Sequence, residues 1–153
     1  LGKEKIIGAA DVEEWLSHSR EESSFTLFSR LAAGDLSGSL ESLHALLGAK
    51  ESFLNILGGL GWCFRRLRDY QALAESGRLR GDRSDDLELK KIGLSSPKGR
   101  GDYLQANRLY GPGAADRFLS LTAEYDIRLR SSGGALEILL LEMFLYKIVS
   151  KRD

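Results

Sequence analysis

Apolar residues spaced at helical intervals dominate this sequence, and strand-type patterns are almost absent. They recur at steps of three and four residues along most of the 153-residue chain, whereas β-branched clusters occur only at 6–7 and 148–149. This spacing predicts α-helices whose apolar faces pack against one another. A chain of this length can bury a substantial core. We therefore expect an all-α fold, a helical bundle of about five to seven helices.

Glycine, proline and serine divide the chain into helical segments. Ser23 or Ser24 is the expected cap of the first bundle helix, and Ser37 or Ser39 is the expected start of the second. The predicted helices cover 25–33, 37–48 or 39–48, 50–75, 86–92, 97–109, 114–130 and 135–150. A shorter helix is predicted over 11–16, and the polar segment 75–86 is predicted to be a mobile loop.

Three glycines lie inside the predicted long helix 50–75. Each costs about 1 kcal/mol relative to alanine in a helix interior. Gly58, Gly61 and Arg65 fall on one row, away from the apolar stripe. Close approach of another helix along this row and a local bend both explain the glycines, and the sequence leaves both open.

The last predicted helix, 135–150, is apolar on nearly every side. Such a helix is either buried or lies at a subunit interface. The stretch carries Glu137, Glu142 and Lys147 and is shorter than the roughly 20 residues that span a bilayer. We therefore expect no membrane association.

Composition excludes several classes of function. The chain has 22 basic and 22 acidic residues, which argues against binding nucleic acid through bulk positive charge. Its single cysteine, Cys63, excludes a cysteine zinc site and is expected to be a buried small apolar residue. No nucleotide-binding or catalytic motif is present, so we expect no cofactor, no metal and no enzymatic activity. Composition indicates a soluble intracellular protein.

Two polar features stand out on this background. Arg65, Arg66 and Arg68 form the densest basic cluster, which fits either the C-terminal helix dipole or phosphate contact. Asp126 lies beside an apolar stripe. If it is buried it needs a partner, either Arg130 four residues on or an arginine of the long helix. The other interpretation is a half-exposed acid at the edge of the stripe.

The order of several short segments resembles a known family. These segments are FTLFSRLAAGD at 25–35, LESLHALL at 40–47, FLNIL at 53–57, FRRL at 64–67, AEYDIRLRSSG at 123–133 and ALEILL at 135–140. Together they resemble the C-terminal collar domain of the delta subunit of the bacterial DNA polymerase III clamp loader. KIIGAADVEEWL at 5–16 is similar to the last helix of the lid domain that precedes the collar.

The resemblance implies a domain organisation and a function. Residues 1–20 would be the end of the lid domain, residues 21–153 the collar, and the chain a piece of a longer protein. In this family the collar domains of the subunits pack side by side into a ring. The delta subunit itself does not hydrolyse ATP. The expected partners are gamma/tau- and delta-prime-type subunits, with the sliding clamp reached only through N-terminal modules outside this chain. DNA would be contacted indirectly, in the bacterial cytoplasm.

Two hypotheses about contact residues follow. The first places a subunit interface on Arg65, Arg66, Arg68, Glu137, Glu142 and Tyr146, with Asp126 and Arg130 as a buried ion pair. The alternative is a helical nucleic-acid-binding domain that uses Arg65, Arg66, Arg68, Lys98 and Arg100.

Overall fold

The computed structural model describes residues 24–150. Within this range seven α-helices and no β-strand are present, which confirms the all-α prediction. They are α1 (Thr26–Ala32), α2 (Leu36–Gly48), α3 (Phe53–Glu75), α4 (Asp85–Lys91), α5 (Pro97–Tyr110), α6 (Ala114–Ser131) and α7 (Glu137–Ser150). A 3₁₀ turn, Gly134–Leu136, precedes α7. The helix predicted over 11–16 and the domain boundary predicted after residue 20 lie outside the described residues.

Local sequence determines most of the helix ends. Ser96 caps α5 by accepting a hydrogen bond from the backbone N–H of Gly99, and Pro97 occupies the first turn as predicted. Gly34 and Gly93 end α1 and α4 with positive φ angles of 70° and 89°.

The expected serine cap of α2 is wrong, and for α1 only the Ser24 alternative can be compared with the structure, because Ser23 lies outside the described residues. Helix α2 is capped by Asp35, whose carboxylate accepts from the N–H of Gly38 at 2.8 Å, and not by Ser37 or Ser39. The Ser39 hydroxyl instead donates to the backbone carbonyl of Asp35, one turn earlier. Helix α1 begins without a side-chain cap, because Ser24 is buried against α3.

The core lies between α3 and the helices that surround it. Helix α3 packs against α6 and α5, α1 packs against α2 and α5, and α7 packs against α6 and α2. Phe64 of α3 is fully buried and its ring meets three aromatic rings, those of Phe28, Phe118 and Phe144. Since these rings belong to α1, α6 and α7, one side chain links four helices.

A buried amide holds the α5–α6 turn. Gln71 of α3 is 5% exposed and donates from Nε2 to Asn107 Oδ1 at 2.9 Å and to the carbonyl of Gly111 at 2.8 Å. Its Oε1 accepts from the backbone N–H of Ala115 at 3.2 Å. The side chain therefore satisfies backbone groups at the end of α5 and the start of α6 that lack helical partners.

The segment 76–84 joins α3 to α4 without helical structure, in agreement with the loop prediction for this part of the chain. The carboxylate of Asp85 accepts from the backbone N–H groups of Arg80 and Gly81 at 2.7 and 2.8 Å. Leu89 is the one buried residue of α4. This part of the domain therefore adds little to the core.

The glycines of α3 differ in what surrounds them. A Cβ added at Gly58 meets nothing within 4 Å, and one at Gly61 meets Arg65 Nη1 at 3.5 Å and Thr122 Cγ2 at 3.7 Å, both ordinary van der Waals contacts. The close approach proposed along the Gly58–Gly61 row is therefore wrong, because both positions have room for a methyl group. The tight position is Gly59, where a Cβ would overlap the side chain of Ser24.

Alanine substitutions at adjacent glycines should have opposite effects. Gly58→Ala should raise the free energy of unfolding by roughly 0.5–1 kcal/mol, because alanine favours the helix and fills open space. Gly59→Ala should lower it by about 1–3 kcal/mol, because the new methyl group displaces Ser24. Urea denaturation of both variants measures the difference, and equal effects would contradict the placement of Ser24 against α3.

Two buried tyrosines should also respond oppositely to loss of the hydroxyl. The Tyr125 hydroxyl has no hydrogen-bond partner among residues 24–150, whereas Tyr110 Oη donates to the carbonyl of Leu31 at 2.5 Å. Tyr125→Phe should therefore stabilise the fold by about 1 kcal/mol, and Tyr110→Phe should destabilise it by about 1–2 kcal/mol. Thermal unfolding of the two variants checks the sign. If Tyr125→Phe destabilised the fold instead, the Tyr125 hydroxyl would have to form a hydrogen bond in the native protein.

Candidate docking surface

Helix α7 has one face in the core and one face open to solvent. Its inner face is buried through Leu141, Phe144, Leu145, Ile148 and Val149. Its outer face carries Leu136, Leu139, Met143 and Tyr146, which are 51%, 51%, 39% and 59% exposed. We call these four residues the α7 stripe. The sequence predicts that the last helix is either buried or at a subunit interface. In the structure one face of α7 is buried and the other face is exposed.

The α7 stripe is continuous along the helix. Its members are separated by three, four and three residues, so they follow one another on adjacent turns. Leu136 ends the 3₁₀ turn, and Glu137 continues from it with helical angles of φ −60° and ψ −44°. The stripe therefore extends along one surface line of about 15 Å.

Charged residues flank the α7 stripe on both sides. Glu142 lies beside Met143, and its Oε2 contacts His44 Nε2 of α2 at 2.8 Å. Lys147 follows Tyr146, and its Nζ lies 5.2 Å from the ring centroid of Tyr125. The stripe thus has an acidic border on one side and a basic border on the other.

The three arginines predicted for the interface have different surroundings. Arg66 is engaged within the fold, with an ion pair to Asp69 at 3.1 Å and its guanidinium 5.2 Å from the Trp62 ring centroid. Arg65 and Arg68 are exposed and form no ion pair with residues 24–150. Two cations of the cluster are therefore available for an external contact.

The other two basic residues of the nucleic-acid hypothesis, Arg100 and Lys98, also differ in their contacts. Arg100 is held by the carbonyl of Leu94 at 2.8 Å and by Asp86 at 2.8 Å. The same carboxylate pairs with Lys90 at 3.0 Å, and the hydrogen bonds from Lys90 and Arg100 hold the pKa of Asp86 below its ordinary value. Lys98 is exposed. Arg100 thus anchors α4 to α5 instead of facing a ligand.

The ion pair predicted between Asp126 and Arg130 is present but is not buried. Arg130 Nε lies 3.0 Å from Asp126 Oδ2, and the two side chains are 63% and 41% exposed. The expected burial is wrong because Tyr125 and Leu129 occupy the inner face of α6. An exposed pair of this spacing contributes only about 0.3–0.5 kcal/mol.

The predicted interface residues occupy two separate helices. Glu137 and Glu142 are half-buried on α7, Tyr146 belongs to the α7 stripe, and the arginines lie on α3. No hydrogen bond or ion pair joins the two sets among the described residues. The prediction does not name the stripe members Leu136, Leu139 and Met143, although the three-four-three spacing that they form with Tyr146 is visible in the sequence.

Cys63 lies in the core and not at a surface. It is fully buried, and burial raises the pKa of its thiol to about 12, opposed in part by a hydrogen bond with Tyr103. This position confirms the expectation of a buried small apolar residue. A neutral thiol without solvent access is unreactive.

The thiol should therefore report unfolding. At pH 8 the native protein should react with a thiol-specific reagent only as fast as it unfolds, and in denaturant it should react at once. The raised pKa stabilises the fold fully below pH 9.0, the ordinary value. That contribution should be lost as the pH rises toward about 12, because only the unfolded chain releases the proton there. Rapid labelling of native protein would contradict this burial.

The other surfaces of residues 24–150 show fewer features of a binding or catalytic site. A groove of about 650 Å³ follows α5 and is lined by Gly101, Leu104, Gln105, Arg108 and Leu109. These side chains include one cation and no nucleophile. Residues 24–150 contain no group of three or more histidine, cysteine, aspartate or glutamate side chains placed to hold a metal ion. No helix in that range is long and apolar enough to cross a membrane.

Comparisons with known proteins identify no relative: no protein-family model, no curated protein and no solved structure matches this chain. The helical fold and the exposed surface of α7 are therefore the structural observations on which a proposal about function can rest.

Proposed function

We propose that this domain is a docking module that joins proteins through α7. In its specific form, the proposal is a non-catalytic collar module of a DNA polymerase III clamp-loader delta subunit, which supports loading of the sliding clamp onto primed DNA. The specific form is supported only by the order of sequence segments that resembles the collar. The general form is supported by the all-α fold and by the α7 stripe.

The α7 stripe is the observation that carries the proposal. Single exposed apolar residues are common on protein surfaces and need no explanation. Four large apolar side chains in one unbroken line are different, because contiguous apolar patches mark contact sites. The opposite face of α7 is fixed in the core by Phe144 and Ile148, so the helix presents the stripe on a rigid support.

Under this proposal the partners are gamma/tau- and delta-prime-type subunits, reached through their own collar helices in the bacterial cytoplasm. The sliding clamp would be contacted by other modules of the same subunit, and DNA only indirectly. The domain itself would perform no chemistry. It would hold subunits next to one another.

Co-purification tests the proposal. The chain is mixed with folded gamma/tau- and delta-prime-type subunits at roughly micromolar concentration, a range that detects moderately tight complexes. We expect a stable complex with wild type and a weaker one with Met143→Glu, which places a charge in the α7 stripe. The matched control is Ile138→Glu, on the same helix but outside the stripe. Absence of any complex would overturn the specific form.

A nucleic-acid-binding role is the second candidate, favoured by the exposed Arg65, Arg68 and Lys98. It is weakened because Arg66 and Arg100 are held by Asp69 and Asp86. The role predicts binding that falls steeply with salt and is lost in Arg65→Glu/Arg68→Glu. A gel shift without any complex at low salt would remove this candidate.

A further inference from the structure

The α7 stripe has the spacing of a coiled-coil seam. Leu136 and Met143 are seven residues apart, and so are Leu139 and Tyr146, which places them at alternating a and d positions of a heptad. All four side chains are exposed in the monomer. A second helix with the same pattern would cover them by inserting its own side chains between them.

The flanking charges identify that second helix. In this heptad frame Glu142 occupies a g position and Lys147 the following e position, five residues later. In a parallel pair a g residue faces the e residue that follows it on the other helix, so each Glu142 would face the other copy's Lys147. The border charges of α7 are therefore complementary to those of an identical, parallel α7.

We propose that the chain pairs with a second copy of itself through a parallel, two-stranded contact of the α7 stripes. This inference rests on the general docking role proposed for α7 and does not depend on the clamp-loader assignment. An antiparallel pair that aligns the two stripes would place Glu142 against Glu142, which is repulsive, and would move each Lys147 away from the other copy's Glu142. Electrostatics thus selects the parallel arrangement.

The proposed contact between the two helices is short, and the charged residues beside it already make contacts within the monomer. The seam covers two heptads, and Glu142 and Lys147 already interact with His44 and Tyr125 within the monomer. In the dimer the two charged groups exchange these contacts for contacts with the second copy. We expect a reversible dimer with a dissociation constant on the order of 10 µM, typical of small interfaces.

Sedimentation equilibrium of the 153-residue chain tests the dimer. Wild type should change from monomer to dimer as concentration rises. Met143→Glu should raise the dissociation constant roughly tenfold or more, because two carboxylates would meet in the seam. Ile138→Glu, exposed on the same helix but outside the seam, should leave it unchanged. A monomer at every concentration, or equal effects of both variants, would overturn the proposal.

The direction of pairing has its own test. Ser150 continues the heptad at the next a position and is exposed, so in a parallel pair the two Ser150 residues lie together. Ser150→Cys should form an intermolecular disulfide under mild oxidation, and the buried Cys63 does not compete. An antiparallel pair would separate these positions by about 25 Å along the helix axis and give no cross-link.

Charge reversal supplies the second readout of direction. Glu142→Lys alone and Lys147→Glu alone should each weaken the dimer, and the double variant should restore it, since its charges are again complementary in parallel. Failure of the double variant to recover while remaining folded would contradict the parallel register. The dimer and the complex with clamp-loader subunits would use the same stripe and could not form at the same time. Each is measured without the other, the dimer with the chain alone and the complex by co-purification, so failure of one is distinguished from failure of the other.

Discussion

Replacing Phe64 by alanine should lower the free energy of unfolding by about 4 kcal/mol, within the range for a fully buried phenylalanine. The Phe64 ring centroid lies 5.2 Å from that of Phe118, 6.1 Å from that of Phe28 and 6.5 Å from that of Phe144. The resulting cavity would border four helices, so no single element can move to fill it. Guanidinium denaturation followed by far-ultraviolet circular dichroism measures the change.

Two control variants separate this effect from a general loss of apolar surface. Phe64→Leu keeps most of the buried volume and should cost roughly 1–2 kcal/mol. Leu87→Ala removes an apolar side chain that is 63% exposed on α4, and should change stability by about 0.5 kcal/mol or less. If Phe64→Ala behaved like Leu87→Ala, the core would not be centred on Phe64.

Replacing Gln71 by alanine should destabilise the domain by about 3 kcal/mol. The variant loses three hydrogen bonds and leaves the N–H of Ala115 buried without a partner, which costs roughly 1–3 kcal/mol. The carbonyl of the half-buried Gly111 keeps only the bond from the N–H of Ala114 at 3.4 Å. Urea denaturation measures the loss. Hydrogen exchange at the start of α6 should accelerate in the variant, because the turn there is no longer held.

Gln105→Ala is the matched control for this substitution. Gln105 is exposed on α5, so its replacement should change stability by about 0.5 kcal/mol or less. Gln71→Glu keeps the shape but presents carboxylate oxygens to Asn107 Oδ1 and the Gly111 carbonyl, and it should be at least as damaging as alanine. Tolerance of the glutamate would show that the side chain does not bridge α5 and α6.

Local signals in the sequence are sufficient to predict where most of the helices lie. Gly34, Gly93 and the 111–113 break each interrupt the helical pattern by themselves, and the structure ends helices at those points. The boundaries differ by a few residues where competing residues adjoin. Asp35 caps α2 in preference to Ser37 or Ser39. After α2, Lys50 and not Gly48 takes the left-handed conformation, with φ 66°.

Contacts between distant segments could not be predicted in the same way. Gln71 looks like any polar residue in sequence, and its importance depends on a turn 40 residues further along the chain. The role of Gly59 depends on Ser24, which is 35 positions away. Such pairings follow from the packing of whole helices, which a single sequence does not specify.

The candidate surface was predicted only in part. The apolar character of the last helix indicated a partner, and Tyr146 was correctly expected to be accessible. The prediction places Arg65, Arg66 and Arg68 in one basic cluster. In the structure Arg66 contacts Trp62 and Asp69, while Arg65 and Arg68 face outward. Neighbours in sequence on a helix point in different directions, so a cluster in sequence is not a cluster in space.

The segment between α3 and α4 has a practical consequence for engineering. Apart from Leu79, which packs against the core, its residues are exposed, and the backbone N–H groups of Arg80 and Gly81 donate locally to the carboxylate of Asp85. A fluorescent reporter or affinity peptide grafted between 76 and 84 would leave the aromatic core and the outer side of α7 unaltered. This segment therefore provides a handle for purification and imaging that lies away from the α7 stripe.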